Sequence, residues 1–416
     1  MSIKNIDSLI REAVFGADEE TRQNYRKQIR NLAIEKGIRP ASIQNLYMAA
    51  GKGAYHGITV PAINIRGIAY DVACAVFRSI LKSEAWACIF EIARSEMDYT
   101  RQSPDEYATV VMAAALKEGY TGPVFIQVDH LQAKSKVYKQ NPETELDAMK
   151  AIIRDAVKAG FYNIDIDAST LVDISKPTLE EQQELNSRVT AEMTRFIRSI
   201  EPKGITISIG GEIGEIGKGN STVEELRAFM ETYQDYLTSD VTGISKISVQ
   251  TGTTHGGVVL PDGSIADVSI DFDTLKKLGE VARREYGLGG AVQHGASTLP
   301  DNAFDMFPKV DTLEVHLATG FQNIIYDSEN FPADLRETIR RDILQRYAGE
   351  RKPDESEEQF IYKTRKKSLG DFKRQLWDIP EPNKNAIMKE LEDRFDLIFQ
   401  KLNCIHTREL VQKYIK

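Results

Sequence analysis

The strongest constraint on the fold is an alternation of short, β-rich apolar runs with longer amphipathic stretches, which begins near Val60. Stretches such as ELDAMKAIIRDAVKAG and TVEELRAFMETYQDYL carry apolar residues at helical spacing. Repeated strand–helix units predict a parallel sheet, and eight units close most naturally into an α/β (β/α)₈ TIM barrel. The eight predicted strands are 59–65, 85–92, 123–129, 162–167, 204–210, 244–250, 290–294 and 312–317.

The main alternative is a doubly wound sheet, which would carry a Gly-rich phosphate turn after an early strand. Neither a GxGxxG nor a P-loop pattern occurs there. The segments before and after the alternation have apolar residues at helical spacing. The C-terminal one would cap the barrel or form an oligomer interface. We therefore predict N-terminal helices over 1–58, a TIM-barrel catalytic domain over 59–326 and a C-terminal helical extension over 327–416.

Composition excludes several classes of protein. The formal net charge of −9 over 416 residues argues against a general nucleic-acid surface, which needs a dense basic face. No apolar run is long enough to cross a bilayer, and the first residues have no secretory h-region. The three cysteines, Cys74, Cys88 and Cys404, are far apart and fit a reducing cytoplasm. We expect a cytoplasmic protein with no nucleic-acid or membrane partner.

Histidines point to the chemistry. The chain has six, and four of them end or directly follow predicted strands. The C-terminal ends of barrel strands meet at one mouth, so histidines there can converge on a divalent transition metal. The predicted ligands are His130, His255 and His294. Gly256, Gly295 and Ser297 lie beside two of them, where small residues let backbone N–H groups approach a phosphate.

Seven motifs carry a resemblance over about 59–326: PAINIRG, VDH, IDAS, GEIGEIG, QTGTTHG, QHGAS and EVHLAT. In order and spacing they resemble the class II fructose-bisphosphate aldolases and their tagatose-bisphosphate relatives. The stretch FEIARSEMDYTRQSPDEYATVV also resembles the GatZ-type subunit of tagatose-bisphosphate aldolase, a branch described as lacking catalysis of its own.

The resemblance implies roles for individual residues. His130, His255 and His294 would bind Zn²⁺ or another divalent ion, and Asp129 would be the acid/base at the substrate hydroxyl. Glu212 would lie beside the metal, with Asp167 and Ser169 in the D-x-S position after strand four. The residues implied for substrate and its phosphate are Asn64, Gly256, Gly295, Ser297 and Thr319.

These roles fit aldol cleavage of a phosphorylated ketose through a metal-stabilised enediolate of dihydroxyacetone phosphate. A divalent ion stabilises that charge as a Lewis acid, so no Schiff-base lysine is required. Lys246 lies within a predicted strand and is interpreted as structural. A carboxylate next to a metal ligand, as in Asp129-His130, is well placed to move a hydroxyl proton.

Three features depart from the family pattern. Asn220 stands where the family has an acid that exchanges a proton with the nucleophilic carbon, so Glu215, Glu224 or Glu225 would have to replace it. His316 replaces an Asn that contacts substrate; it is a polar group at the metal, a donor to substrate or a structural replacement. Arg66 and Arg94 follow early strands and either bind the far end of an unusual substrate or form surface salt bridges.

Three hypotheses remain open from the sequence. The first is a metal-dependent aldolase that binds a phosphorylated sugar and forms a homo-oligomer, a dimer or larger. The second is a non-catalytic aldolase-like subunit, against which the histidine set weighs. The third is a related lyase or isomerase on the same scaffold, since one fold supports many reactions.

Overall fold

The protein is described by a computed structural model that covers residues 5–214, 219–252, 260 and 270–415. Nine strands in this part of the chain form one sheet in which all pairings are parallel. The strands are β1 (Arg39–Ala41), β2 (Val60–Asn64), β3 (Ile89–Ala93), β4 (Pro123–Gln132), β5 (Asn163–Asp167), β6 (Ser208–Gly214), β7 (Lys246–Val249), β8 (Ala291–Gln293) and β9 (Glu314–Leu317).

Strands β2 to β9 pair in sequence order, and β9 pairs with β2, so they close into a barrel. The predicted (β/α)₈ barrel is confirmed, and its strands overlap all eight runs that the sequence indicated. The register of the closing pair sets Ala62 opposite His316 and Ile63 opposite Leu317. Residues of β2, β3, β5, β7, β8 and β9 are buried along their full length, as expected for a parallel sheet covered on both faces.

Helices surround the barrel and flank it at both chain ends. They are α1 (Ile6–Phe15), α2 (Glu19–Glu35), α3 (Gln44–Gly51), α4 (Ala69–Ser83), α5 (Arg94–Thr100), α6 (Pro104–Glu118), α7 (Ser135–Gln140), α8 (Pro142–Ala159), α9 (Leu179–Ile200), α10 (Val223–Tyr236), α11 (Phe272–Tyr286), α12 (Met306–Lys309), α13 (Thr319–Asp327), α14 (Ala333–Arg346), α15 (Glu357–Thr364), α16 (Ser368–Asp371), α17 (Lys373–Trp377), α18 (Glu381–Lys401) and α19 (Arg408–Tyr414).

Local sequence fixes where such helices begin and end, as α6 illustrates. The Ser103 hydroxyl accepts a hydrogen bond from the Glu106 N–H at 3.2 Å, and Pro104 occupies the first turn. Gly119 ends the helix in the left-handed region at φ +72°, which glycine adopts at little cost.

The N-terminal segment differs from its all-helical prediction in one place. Arg39–Ala41 form β1, which pairs with the beginning of β4 at Pro123–Phe125. A three-residue strand is too short to show an alternating pattern, so no periodic signal predicts it.

The C-terminal helices pack on the barrel rather than extending away from it. On α18, Glu392 accepts a hydrogen bond from the Arg78 Nε of α4 at 2.8 Å, and Phe395 packs against Phe321 of α13 with ring centroids 4.9 Å apart. Apolar residues of this segment belong to the same buried cluster as the barrel core. Within the described part of the chain, no helix has the length and apolar character needed to cross a membrane.

The interior of the barrel holds a buried ion cluster around Lys246 of β7. Its ammonium group lies 2.5 Å from Glu314 Oε1, 3.0 Å from Asp165 Oδ2 and 2.8 Å from Gln127 Oε1, and its side chain is 1% exposed. Burial by itself lowers the pKa of Lys246, but the carboxylates of Asp165 and Glu314 outweigh it and raise the pKa. The Tyr47 hydroxyl of α3 donates to Glu314 from the opposite side.

We predict that Lys246→Met destabilises the protein strongly. The substitution removes the ammonium group that contacts both Glu314 and Asp165, and breaking a buried ion pair by removing one partner costs about 3–5 kcal/mol. Urea unfolding measures the loss, with Lys276→Met on the exposed side of α11 as the matched control. A loss below about 1 kcal/mol, the range of exposed pairs, would show that the cluster does not need Lys246.

Candidate metal centre and active site

A cavity of about 290 Å³ opens at the C-terminal mouth of the barrel. It is lined by the ends of β3, β4, β8 and β9, by the beginning of α13 and by residues 362–366 of the C-terminal segment. This is the position at which barrel enzymes place their active sites. The predicted site residues that line it are Arg66, Asp129, His130, His294, Gly295, Ser297, His316 and Thr319.

Asp129 lies among the polar side chains that line the cavity. Its Oδ2 accepts a hydrogen bond from Asn64 Nδ2 at 3.2 Å, and its Oδ1 lies 3.0 Å from His316 Nδ1. Asn64 is oriented in turn by Glu96, whose Oε2 accepts from the same Nδ2 at 2.7 Å. Both oxygens of a 7% exposed carboxylate are thus held by residues of other elements.

His130 follows Asp129 in a strained conformation. Its φ of +51° lies in the left-handed region that non-glycine residues rarely adopt, and the β4–β5 register shifts between Val128 and Leu131. Its Nδ1 lies 2.8 Å from Asp167 Oδ2 and 3.3 Å from Glu212 Oε2. A carboxylate on one ring nitrogen orients a histidine that coordinates metal through the other, so this arrangement fits a ligand role for Nε2.

The pKa values of the two carboxyl groups behind His130 shift in opposite directions. Burial favours the neutral form of Asp167, but the charge of His130 and hydrogen bonds from Ser169 and Gln132 lower its pKa to about 2. Burial and the neighbouring Asp167 raise the pKa of Glu212. Burial opposes a charged His130, and the two carboxylates outweigh it and raise its pKa.

Two further histidines, His294 and His316, line the cavity with Asp129 and His130. The ring of His294, which directly follows β8, lies 5.0 Å from that of His130 and 4.0 Å from that of His316, centroid to centroid. Ser248 Oγ lies 3.0 Å from His294 Nε2 and orients its ring. Donor atoms of Asp129, His294 and His316 lie within 4.8 Å of one another.

The histidine nitrogens and carboxylate oxygens at the site are possible ligands of a divalent ion. Imidazole nitrogens and carboxylate oxygens at such separations suit Zn²⁺ and related ions. The groups Asp129–His294–His316 and His130–Asp167–Glu212 each meet this condition. The third predicted ligand, His255, and the neighbouring Gly256 lie outside the described residues, so their predictions stand as predictions.

His316 sits among acidic groups. Its Nδ1 also lies 2.9 Å from Glu91 Oε2, and its Nε2 lies 2.6 Å from Glu314 Oε1. Burial opposes its charged form, but Glu91, Asp129 and Glu314 outweigh burial and raise the pKa of His316. Burial, with the charge of Asp129, raises the pKa of the Glu91 carboxyl to about 8. His316 therefore connects the mouth of the barrel to the ion cluster around Lys246.

The described residues predicted to bind phosphate, Gly295, Ser297 and Thr319, line the same cavity. Gly295 adopts φ +71°, and Ser297 Oγ accepts a hydrogen bond from the Ala318 N–H at 2.7 Å, just before α13 begins at Thr319. Arg66 Nη1 approaches Thr319 Oγ1 at 3.4 Å, and Arg66 Nε donates to Glu96 Oε1 at 2.7 Å.

Arg94 and Asn220 lie apart from this cavity. Arg94 donates to Glu145 and, at 3.1 Å, to the Gln132 carbonyl, and it is not among the lining residues. The Asn220 amide donates to Asp271 Oδ2 at 3.1 Å. Of the acids considered as replacements, Glu225 accepts from the Thr222 N–H at the N-terminus of α10, and Glu215 lies outside the described residues.

Several lining residues were missed by sequence reasoning. Glu91 contacts His316, and Glu96 accepts a hydrogen bond from Asn64. Three further lining residues, Tyr362, Lys363 and Lys366, come from the C-terminal segment. Glu91 had a readable signal, since an acidic residue inside the apolar run CIFEIA needs a buried partner. The lysines had none, because their proximity to the barrel mouth depends on how the C-terminal helices pack.

Comparison with known proteins places the chain in a family. The model of the family described as "Fructose-bisphosphate aldolase class-II" matches residues 42–372. A "Fructose-bisphosphate aldolase" of Giardia intestinalis is 22% identical over 259 residues, which cover 62% of this chain and 67% of that protein.

Solved structures share the fold. The fructose-bisphosphate aldolase of Campylobacter jejuni aligns with a TM-score of 0.53 at 16% identity, covering 89% of this chain and 98% of that one. The fructuronate-tagaturonate epimerase of Cohnella laeviribosi aligns with a TM-score of 0.57 at 13% identity, covering 84% and 82%. Because the family model spans most of the chain, including all eight barrel strands, the chain belongs to the class II fructose-bisphosphate aldolase family.

Proposed function

We propose that this protein is a metal-dependent aldolase that cleaves or forms a carbon–carbon bond of a phosphorylated ketose. The observation that carries the proposal is Asp129, held through both oxygens by Asn64 and His316 beside two histidines in one cavity. Family membership supports a lyase of the aldolase type.

His130 and His294 would hold the divalent ion, together with His255. Asp129 and His316 have polar atoms within 4.8 Å of one on His294, so the proposed acid/base would lie directly beside the ion. A divalent ion bound there would supply Lewis-acid stabilisation of the negative charge that develops during aldol cleavage.

Asp129 would move the proton of the substrate hydroxyl. Retro-aldol cleavage requires a base that removes the hydroxyl proton as the carbon–carbon bond breaks, and the reverse reaction returns it. The hydrogen bond from Asn64 and the contact with His316 hold the carboxylate in one orientation. Fixing such a group in advance lowers the cost of reaching the reactive geometry.

The phosphorylated end of the substrate would lie against Gly295, Ser297 and Thr319. The left-handed conformation of Gly295 removes side-chain bulk from the wall. Thr319 begins α13, where backbone N–H groups point outward and favour an anion.

A related isomerase or epimerase is the second candidate. Position 220, where the family pattern has a proton-exchanging acid, is an asparagine whose amide donates to Asp271. An altered proton route suits a reaction that rearranges a sugar without releasing a fragment. The fold similarity to an epimerase is compatible with this candidate, although fold alone does not decide the reaction.

Product analysis separates the two candidates. The protein is incubated with fructose 1,6-bisphosphate and other phosphoketoses, with and without EDTA. An aldolase releases a triose phosphate that a coupled dehydrogenase detects, whereas an epimerase converts one hexose into another. Triose release that survives complete removal of metal would rule out the Lewis-acid mechanism.

We predict that His294→Ala lowers both metal content and activity. Loss of a ligand reduces metal affinity at least as much as loss of an orienting partner, about 10–100-fold. Metal content is measured by elemental analysis after equilibration with limiting Zn²⁺. His56→Ala is the control, since that side chain is 62% exposed and far from the described site. Equal metal content in the two variants would contradict the assignment.

We predict that Asp129→Asn lowers turnover about 10²–10⁴-fold while metal content stays near that of the parent protein. The amide keeps the size of the side chain but cannot accept a proton. The exposed Asp173→Asn serves as the control. Turnover within threefold of the parent would refute the acid/base role, and loss of metal would instead make Asp129 a ligand.

A further inference from the structure

Both ring nitrogens of His316 face carboxyl oxygens. Nδ1 lies 3.0 Å from Asp129 Oδ1 and 2.9 Å from Glu91 Oε2, and Nε2 lies 2.6 Å from Glu314 Oε1. The side chain is only 4% exposed. A ring nitrogen that donates to a carboxylate has no lone pair to offer to a metal ion. The geometry thus directs His316 toward neighbouring protein groups rather than toward a ligand in the cavity.

Glu91 is the least expected of these partners. It lies in the middle of β3, and the parallel register sets it between Asn64 of β2 and Gln127 of β4. Its Oε2 accepts a hydrogen bond from Gln127 Nε2 at 3.1 Å, whereas its Oε1 has no hydrogen-bond partner among the described residues. A buried carboxyl group that is only partly satisfied costs free energy. An apolar residue would avoid that cost, so the contact with His316 is the physical reason for an acidic residue at this position.

The Nδ1 atom of His316 couples Glu91 to the candidate acid/base. This one nitrogen faces the carboxyl groups of both Glu91 and Asp129. The torsion that turns a histidine ring has broad minima, so the partners of the ring fix its orientation more than its own rotamer does. Glu91 and Glu314 hold the two nitrogens of the ring, and the ring holds Asp129 Oδ1. The orientation of the Asp129 carboxylate therefore depends on a residue that is itself 0% exposed.

We propose that Glu91 is a positioning residue that acts through His316 to hold Asp129 in its reactive orientation. The inference deepens the proposed function and rests on it for the role of Asp129 as the acid/base. In this arrangement His316 occupies the position of the substrate-contacting Asn of the family but is directed to Asp129 instead of the substrate. Holding a catalytic group in place before the reaction lowers the barrier that the group would otherwise meet in reaching its reactive position.

The first test compares two substitutions of Glu91. Glu91→Met removes the acceptor and should lower kcat about tenfold or more, with KM within about threefold of the parent, because a small misplacement of a catalytic group can cost up to about 10²-fold. Metal content should stay near that of the parent. Glu91→Gln should recover most of kcat, since its amide oxygen still accepts from His316. Burial and the charge of Asp129 raise the pKa of Glu91 to about 8, so a neutral amide is a close substitute near pH 7.

A double-mutant cycle separates an indirect role from a general loss of stability. If Glu91 acts through His316, Glu91→Met should cost no further kcat in a His316→Gln background, because residues that act as one unit are non-additive. Glu106→Met is the matched control. Glu106 is also a buried carboxyl, but it pairs with Arg26 and Lys373 and does not line the cavity. Its substitution should lower resistance to urea unfolding and leave kcat unchanged.

Histidine resonances give a readout that needs neither substrate nor turnover. In protein labelled with ¹⁵N-histidine, the Nδ1–H signal of His316 is assigned by its absence from His316→Gln. We expect this signal to shift and broaden in Glu91→Met, because the ring loses one of its partners. The signal should persist in Glu91→Gln and in the control Glu106→Met.

Three results would overturn the positioning role. They are an unchanged His316 signal in Glu91→Met, losses of kcat that add in the double mutant, and loss of bound metal from Glu91→Met, which would assign the cluster to the ion. Failure of the proposed function gives a different result. A His316 signal that depends on Glu91, in a protein that releases no triose from any phosphoketose, would remove the aldolase proposal while confirming that Glu91 holds the ring.

Discussion

The pairing of β9 with β2 closes the barrel, and the arrangement of the site depends on that closure. It joins the last strand of the barrel to the first strand of the barrel and sets Ala62 opposite His316. Asn64, two residues further along β2, then reaches the same carboxylate, Asp129, that His316 contacts. Without closure, three residues separated by up to 252 positions in the chain would have no reason to meet.

Buried charged side chains extend from the candidate site into the interior of the barrel. Glu314 contacts Lys246 on one side and His316 on the other, and Tyr47 of the N-terminal segment donates to it. Burying charge is costly unless each group has a partner, so the members of this cluster constrain one another's positions. The same constraint fixes the histidine that contacts Asp129.

The C-terminal helices have a second role beyond covering the barrel. The stretch around Arg365 is bound to α13, and Gly67 and Gly370 allow it to approach the mouth closely. A segment that resembles a helical cap in sequence therefore forms part of the cavity wall. It adds Lys363, which is paired with Glu355, and Lys366 to a cavity otherwise rich in carboxylates.

The sequence by itself determined the barrel and the residues that stand at the ends of its strands. Strand–helix alternation is a local pattern, and strands that alternate with helices have few ways to pack, so the mouth and the residues at strand ends could be predicted. Asp129, His130 and His294 line the cavity at that mouth. Only the tertiary structure decided the surroundings of these residues. Distant segments of the chain meet in each case. Arg94 pairs with Glu145, carboxylates such as Glu91 surround His316, and Lys366 lines the cavity at the barrel mouth. Such contacts depend on packing and register, which leave no periodic signal in the chain.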